Sequence, residues 1–432
     1  MVALSMLANP IEILSAYRSA NYNFKASPQQ LEQNTNKALS QISVFANTNS
    51  KYYRSLFNTC GLSQGVIKNS TELAKLPVLS RKEVVELGEQ LMCTSVSDDL
   101  AWKQTSGTSG TPLRIPWSKE QLNAVIAVRL RFSSQMGLMP WHSIVWVHYK
   151  GKPRDTGSSE EFYEAYGKKF SPSIMWTNPS KLPGFGKRVS SLAEFKPHLL
   201  ASWPSDLLRV GQIFEEQRRP ISVKLVRPMG EALTKQRRTQ LANLWHGEIF
   251  EAYGTSEFGL MANECVDHHG LHLNSDFFIF EVLYKDGATS TTGEGELVVT
   301  NLYNRALPLF RYNTRDLVVL STQERCSCGT YLPLVTAFRG RFQDGLLSRQ
   351  GRRVSAGRVM EAIESLLGNM EYQLTQVSSN EFTLAVPNGR IDEGLLEEIG
   401  SLLNDLVGDN NLRVIELIEQ VGQKQRRVIS NV

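Results

Sequence analysis

A chain of 432 residues is too long for one ordinary core and calls for two or three domains. Its 41% hydrophobic and 21% charged residues are those of a soluble globular protein, and a net charge of +4 gives no reason to expect nucleic acid or a membrane as a partner. No apolar run approaches the ~20 residues needed to cross a bilayer, the N-terminus lacks the basic start of a signal peptide, and five cysteines make no secreted disulfide framework, so a cytoplasmic protein is expected.

Residues 1–100 read as mainly helical. "PQQLEQNTNKALSQISVFA" has apolar residues at helical spacing, and "LPVLSRKEVVELGEQLM" reads as a loop, a Ser80 N-cap and a helix with Glu83 at its third position. "DDLAWKQTSGTSGTP" is a short strand entering a small-residue loop, followed by a helix capped by Ser118. "SIVWVHY" is an apolar strand, "HLLASWPSDLLRVGQIFEEQ" a turn into a helix, and "PISVKLVRPMGEALTKQRRTQLANLW" strand, loop and helix. "GEIFEAYGTSEFG" reads as a strand and then a loop. This alternation predicts parallel α/β layers over 100–260. From 272 to 338 the pattern turns to alternating strands. The last segment reads as a helix at "AGRVMEAIESLLG", a strand pair around "YQLTQVSSNEFTLAV", a helix at "EGLLEEIGSLLNDLVG" and a strand at "NLRVIELIE". No repeats or low-complexity tracts interrupt the chain.

The loop is the first candidate for chemistry. Thr105, Ser106, Gly107, Thr108, Ser109, Gly110 and Thr111 run together and close on Pro112. Small residues let backbone approach a ligand, and successive N–H groups with hydroxyls make a nest for phosphate oxygens. The same composition also suits a flexible surface loop. The loop is not a Walker A sequence, since no lysine follows its glycines, nor a G-x-G-x-x-G turn.

Five segments in order carry a resemblance. "QTSGTSGTP" resembles the phosphate loop of the adenylate-forming superfamily, the acyl-CoA synthetases and adenylation domains. "EAYGTSEFG" resembles its tyrosine–glycine–threonine–glutamate motif, and "FRYNTRDL" its tyrosine–arginine–threonine–glycine–aspartate motif. "FRGRFQDGLLSRQGRRV" resembles the hinge motif, and "GQKQRRVI" the terminal motif with the catalytic lysine. "ASWPSDLL", "RPMGEALT", "NECVDHHGLHL" and "CSCG" resemble the phenylacetate–CoA ligase and CapK-like branch. The fold so implied is α/β. A large multi-layer N-terminal domain, 1–342, comprises a helical part (1–100), an α/β core (101–262) and a β-rich part (263–342); a small mobile α+β domain, 343–432, follows.

The resemblance implies carboxylate attack on the α-phosphorus of ATP, giving acyl-AMP and pyrophosphate, then transfer to coenzyme A. Residues 105–111 would donate to the phosphates and Glu257 would hold Mg²⁺, unless it is an exposed loop acid. Asp316 would take both ribose hydroxyls, or else is a turn acid. Tyr253, with Gly254 and Thr255, would lie against the adenine, though a core aromatic at a strand end reads equally well. Glu231 is either on the nucleotide side or an N-cap acid of the next helix. Arg341 would reach ribose or phosphate, and Lys424 would swing in against the α-phosphate and the carboxylate. Tyr149, Met229 and Gly230, with Trp146, mark the expected acyl pocket, suited to an aromatic or compact acid. Three residues depart from the family pattern: Arg315 stands at a usual glycine, Gln343 at a usual acid and Gln423 at a usual glycine.

Cys265, His272, Cys326 and Cys328 form a candidate tetrahedral zinc set, the alternative being buried or free thiols with surface histidines. Cys60 and Cys93 are expected in helical core. The basic runs "KQRRTQ" and "RQGRRV" read as solvated faces, the second also as a contact for the phosphates of coenzyme A. The expected partners are a small carboxylic acid and its acceptor; a homodimer is left open. Two other readings stand beside thioester formation: capture of the acyl-AMP by an amine, and a nucleotide-binding homologue without turnover.

Overall fold

The computed structural model describes residues 10–62, 64–96, 100–104, 113–139, 142, 144–146, 197–216, 218, 221–322, 324–417 and 425–432. Helices α1 (Pro10–Phe24), α2 (Pro28–Asn49), α3 (Lys51–Thr59), α4 (Ser70–Leu73) and α5 (Arg81–Leu87) come first. α5 starts on the capping box legible in the sequence: Ser80 N–H donates to Glu83 at 2.7 Å and Glu83 N–H to the Ser80 hydroxyl at 3.2 Å. Just ahead of it, Leu79 bridges the backbone around Tyr312 with two 2.9 Å hydrogen bonds.

β1 (Ala101–Gln104) and β2 (Arg114–Trp117) pair antiparallel, with Gln104 opposite Arg114, so the stem of the small-residue loop is a hairpin. α6 (Lys119–Gln135) follows its Ser118 cap and is buried from Gln121 to Val128, as a helix inside a core must be. β3 (Ile144–Trp146), β4 (Leu199–Ser202), α7 (Pro204–Glu216), β5 (Leu225–Pro228), α8 (Lys235–Trp245) and β6 (Glu248–Ile249) build a four-stranded parallel sheet in the order β3-β4-β5-β6. β4 and β5 are buried along their whole length, as parallel strands covered by helices are.

β7 (Ala252–Thr255), β8 (Gly259–Glu264), β9 (Leu271–Leu273), β10 (Phe278–Leu283), β11 (Thr289–Ser290), β12 (Gly293–Asn301), β13 (Tyr312–Ser321) and β14 (Leu334–Arg341) form an eight-stranded antiparallel sheet, order β11-β10-β12-β13-β14-β9-β8-β7. The segment read as a strand and then a loop is therefore a hairpin. Its glycines serve close approach: a Cβ on Gly254 would stand 2.2 Å from the Gly259 carbonyl oxygen, and Gly259 takes φ +82°.

β15 (Leu346–Leu347) and β16 (Arg353–Val354) lead into α9 (Ala356–Leu367), β17 (Gln373–Gln376), β18 (Glu381–Val386), α10 (Glu393–Val407), β19 (Asn411–Glu416) and β20 (Val428–Ser430). Their four-stranded sheet runs β19-β18-β17-β20. β20 was not expected from its polar, basic flank; it pairs parallel to β17, with Leu374 opposite Val428.

Buried side chains fall into three main groups. The largest joins the N-terminal helices and α6 to the eight-stranded sheet. The second fills the parallel sheet with α7 and α8, around Trp245. The third lies within residues 346–428. α1 is tied in by Arg131, which donates to the Ala20 carbonyl at 2.7 Å and to both oxygens of Asp276 at 2.8 and 3.1 Å. Cys60 caps the end of α3, and Cys93 is buried beyond a 3₁₀ turn with its N–H on Ala306, so neither lies inside a helix.

Candidate active site

A cleft of about 270 Å³ opens where the β7–β8 hairpin, the adjoining ends of β13 and β14, the loop after β5 and residues 425–428 meet. It gathers Gly230, Glu231, Tyr253, Gly254, Thr255, Glu257, Asp316 and Arg341, eight of the residues singled out in the sequence. Met229 does not line it; its backbone bridges Ala252 and its N–H bonds Ser202 at 2.9 Å. The segment Thr105–Thr111, Tyr149 and Lys424 lie outside the described residues.

At one end stands Glu257, 6% exposed, in the turn between β7 and β8. Gln121 of α6 fixes that turn with a 2.9 Å bond to the Phe258 carbonyl. Glu257 Oε1 accepts from the Tyr312 hydroxyl at 3.3 Å and faces Arg81 at 3.5 Å. Burial first, then the charge of Glu257, pushes the Tyr312 phenol up, so it stays a donor. Arg81 was missed in the sequence: it is one residue past an ordinary helix cap, and the Leu79 bridge to β13 is what carries it here. Thr255 adds a buried hydroxyl with no hydrogen-bond partner among the described residues.

At the other end, Asp316 Oδ2 accepts from the Tyr253 hydroxyl at 2.5 Å, and Oδ1 lies 3.6 Å from Arg341. Asp316 and Arg341 face each other in the β13–β14 register. Burial and then Asp316 raise the Tyr253 phenol well above its usual range, which keeps it protonated. The Tyr253 ring packs 4.5 Å from Phe338. Arg315 keeps the left-handed φ of +65° that a glycine would take there. Its guanidinium turns outward to Glu296 at 3.2 Å, and Asn313 accepts its N–H at 2.7 Å.

Glu231 is not the cap of the helix that follows it, because Thr234 holds that place. Its carboxylate accepts from the N–H and hydroxyl of Ser205, at 3.1 and 2.9 Å, and so caps α7 instead. The Gln425 N–H donates to the same carboxylate at 2.9 Å. "KQRRTQ" is not a solvated face either: Arg237 is 4% exposed, because helical spacing turns it toward α9 and Glu364. In the second basic run, Arg349 pairs with Asp409 at 2.6 Å and Arg353 bonds the Gly345 carbonyl at 2.9 Å. Glu251, beside the cleft, is pushed up to about 8 by burial and then by Glu264.

Away from the cleft, the turn after β8 and the loop between β13 and β14 bring Cys265, His272, Cys326 and Cys328 within 4.8 Å of one another. Cys265 and Cys326 Sγ lie 3.7 Å apart, Cys328 Sγ and His272 Nε2 3.5 Å. A tetrahedral zinc with bonds of ~2.3 Å to sulfur and ~2.0–2.1 Å to nitrogen has edges of about 3.8 and 3.5 Å, so the donor set fits. A hydrogen bond from Cys328, joined by His272, draws the Cys265 thiol down to about 3. His272 Nδ1 faces the Leu332 carbonyl at 3.3 Å, which leaves Nε2 toward the sulfur. His268 is occupied elsewhere, between Glu264 and Glu248.

No protein-family model matches the chain. The phenylacetate–coenzyme A ligase of Thermus thermophilus is 25% identical to it over 389 residues, 86% of this chain and 84% of the relative. A 2-hydroxyisobutyryl-CoA ligase in its post-adenylation state, in complex with R3-HIB-AMP, superposes with TM-score 0.77 at 16% identity, covering 95% of this chain and 92% of its own. The chain is similar in sequence to phenylacetate–CoA ligases and shares the fold of the 2-hydroxyisobutyryl-CoA ligase. The same 2-hydroxyisobutyryl-CoA ligase in its thioesterification state, in complex with 2-HIB-AMP and CoA, gives a TM-score of 0.64 at 18% identity, covering 95% and 91%. The chain thus superposes better on the post-adenylation structure than on the thioesterification structure of that ligase.

Proposed function

We propose that the chain activates a carboxylic acid with ATP, forming acyl-AMP and pyrophosphate, and passes the acyl group to coenzyme A. The observation that carries this reading is the joint presence of Glu257 and Asp316 in one cleft that the residue next to Lys424 also lines. Asp316, flanked by Tyr253 and Arg341, is shaped for a ribose diol. Arg81, with the 105–111 loop, would take phosphate oxygens. The second oxygen of Glu257 is the one we assign to Mg²⁺, which when bound would offset charge on the phosphates. The acid's carboxylate oxygen bonds to the α-phosphorus as the bond to pyrophosphate breaks, and the Lys424 ammonium would stand beside both oxygens.

Relatives named for phenylacetate and for 2-hydroxyisobutyrate favour an aromatic or compact acid here. We assign zinc to the Cys265–His272–Cys326–Cys328 set as a structural ion, and residues 343–432 to a small lobe that moves against 1–342, a division the third core supports. Five free cysteines and thiol chemistry fit the cytoplasm.

The test is pyrophosphate release from ATP across aryl, aliphatic and amino acids, with coenzyme A, with hydroxylamine or with neither. Release should require one class of acid and rise with coenzyme A, and Lys424→Ala should lower it about 10²-fold or more. Indifference to coenzyme A would point to an amine acceptor. No release with any acid, despite ATP binding, would overturn the reading.

A further inference from the structure

The β1–β2 hairpin sets two cations over two tryptophans, on opposite faces. Strand alternation puts Trp102 and Arg114 on the outer face, where the Arg114 guanidinium lies 4.8 Å over the Trp102 ring and both residues are exposed. Lys103 is on the inner face with Ala101, Ile115 and Trp117, all three buried. Its ammonium lies 5.0 Å over the Trp117 ring, and the residue is half-buried. No carboxylate among the described residues pairs with it; burial, and then the charge of Arg129 on α6, push its amine down to about 8. Trp117 is 4% exposed, and its indole Nε1–H, which can only donate, has no hydrogen-bond partner among the described residues. The far edge of that ring reaches the β7–β8 hairpin. A Cβ on Gly259 would stand 3.3 Å from Trp117 Cη2 and 2.7 Å from Val125 Cγ2, and Arg129 follows Val125 by one helical turn. Gly259 pairs with Thr255, which lines the cleft.

Lys103 and Trp117 thus bring a cation and a buried donor together, with a second cation near by. Holding such groups out of water costs several kcal/mol, and the face of a tryptophan offsets only about 0.5–2 kcal/mol of it. An anion seated there would supply the opposite charge and accept from the indole at the same time. We propose that Lys103, Arg129 and the Trp117 N–H form a second anion site, beside the β7–β8 hairpin, for an oxyanion: a carboxylate or a phosphate. As a carboxylate it would be a second acid group, at the far end of the acid whose activation is proposed above. As a phosphate it would be inorganic phosphate or pyrophosphate. Neither Glu257 nor Asp316 takes part, so the site is separate from the nucleotide positions of the cleft.

Chemical labelling of the full chain reads the site directly. Acetic anhydride acetylates free amines, and mass spectrometry gives the rate at Lys103 against that at Lys82, whose side chain is 83% exposed. The probes are inorganic phosphate, pyrophosphate and para-phenylenediacetate, with phenylacetate as the one-carboxylate control, all at an ionic strength fixed with sodium chloride. At least one probe, at about 10 mM, should slow acetylation of Lys103 about threefold or more and leave Lys82 unchanged. Protection by the diacetate and not by phenylacetate would assign the site to a second carboxylate of the acid. Protection by phosphate or pyrophosphate and not by the diacetate would assign it to phosphate. Trp117→Phe keeps a ring under the lysine and removes the N–H, so protection there should fall by about half or more. Should that variant fold poorly, Arg129→Gln carries the same expectation. No protection by any probe in the unaltered protein, or protection undiminished in the variant, would overturn the site and leave Lys103 as a cation held by a tryptophan face alone. Labelling needs no turnover, so its result stands apart from the adenylating reading.

Discussion

Glu251 sits where a charge is hard to keep. It is half-buried in the cleft wall, Glu264 lies beside it, and its carboxyl is pushed up to about 8 against an unfolded value of about 4.3. Between those two values the folded state holds a proton that the unfolded state has lost. Stability therefore falls as pH rises through that window. Glu251→Gln should raise Tm near pH 8, by about 1 °C for each kcal/mol of relieved charge burial in a chain of this size, and leave it nearly unchanged near pH 5. An equal shift at both pH values would refute the assignment. Arg315 makes the complementary point. A non-glycine residue in the left-handed region costs of order 1 kcal/mol. Here the cost is offset by Asn313 and Glu296, which hold the strained backbone and the outward side chain together.

The proposed zinc cluster fastens two turns that belong to neighbouring strands. β9 pairs with both β8 and β14, but only over three residues, and the cluster closes its outer end. Cys326→Ser should reduce bound zinc from about one per chain to near none, as read by a chelator assay on unfolded protein, and lower Tm. Purified wild-type protein without zinc would rule the assignment out. Elements of this kind show how far the sequence could be read. The capping box at Ser80, the parallel sheet, the helices at 356–367 and 393–407 and the cysteine–histidine pairing were legible because each rests on local spacing or residue chemistry. The β7–β8 hairpin was not, since its glycines look like loop glycines until the opposing strand is present. β20 was hidden because its pairing partner lies some fifty residues earlier, and a basic flank looks like solvent-exposed tail. Arg81 and Glu364 were invisible for the same reason: their roles exist only across distant contacts.

Across the molecule, the first and third cores flank the cleft, and the second fills the parallel sheet whose β5 loop supplies Gly230 and Glu231. The third is joined to the rest through polar contacts such as Arg237–Glu364 and Gln425–Glu231, with Ala232 packed against its edge. Thermal unfolding followed by calorimetry should therefore depart from a single two-state transition, and ATP with an accepted acid should draw the transitions together by stabilising the closed cleft. A single two-state peak that nucleotide leaves unmoved would contradict this picture. The cleft also draws on residues from almost the full length described: Arg81 arrives through the Leu79 bridge to β13, and Gln425 arrives through Glu231. During synthesis the first helices must wait for β13 before Arg81 has a place to stand, and the chain must be made past residue 425 before the cleft is whole. A nascent chain would then hold folded cores upstream while the cleft of the proposed function still lacked residues 425–428.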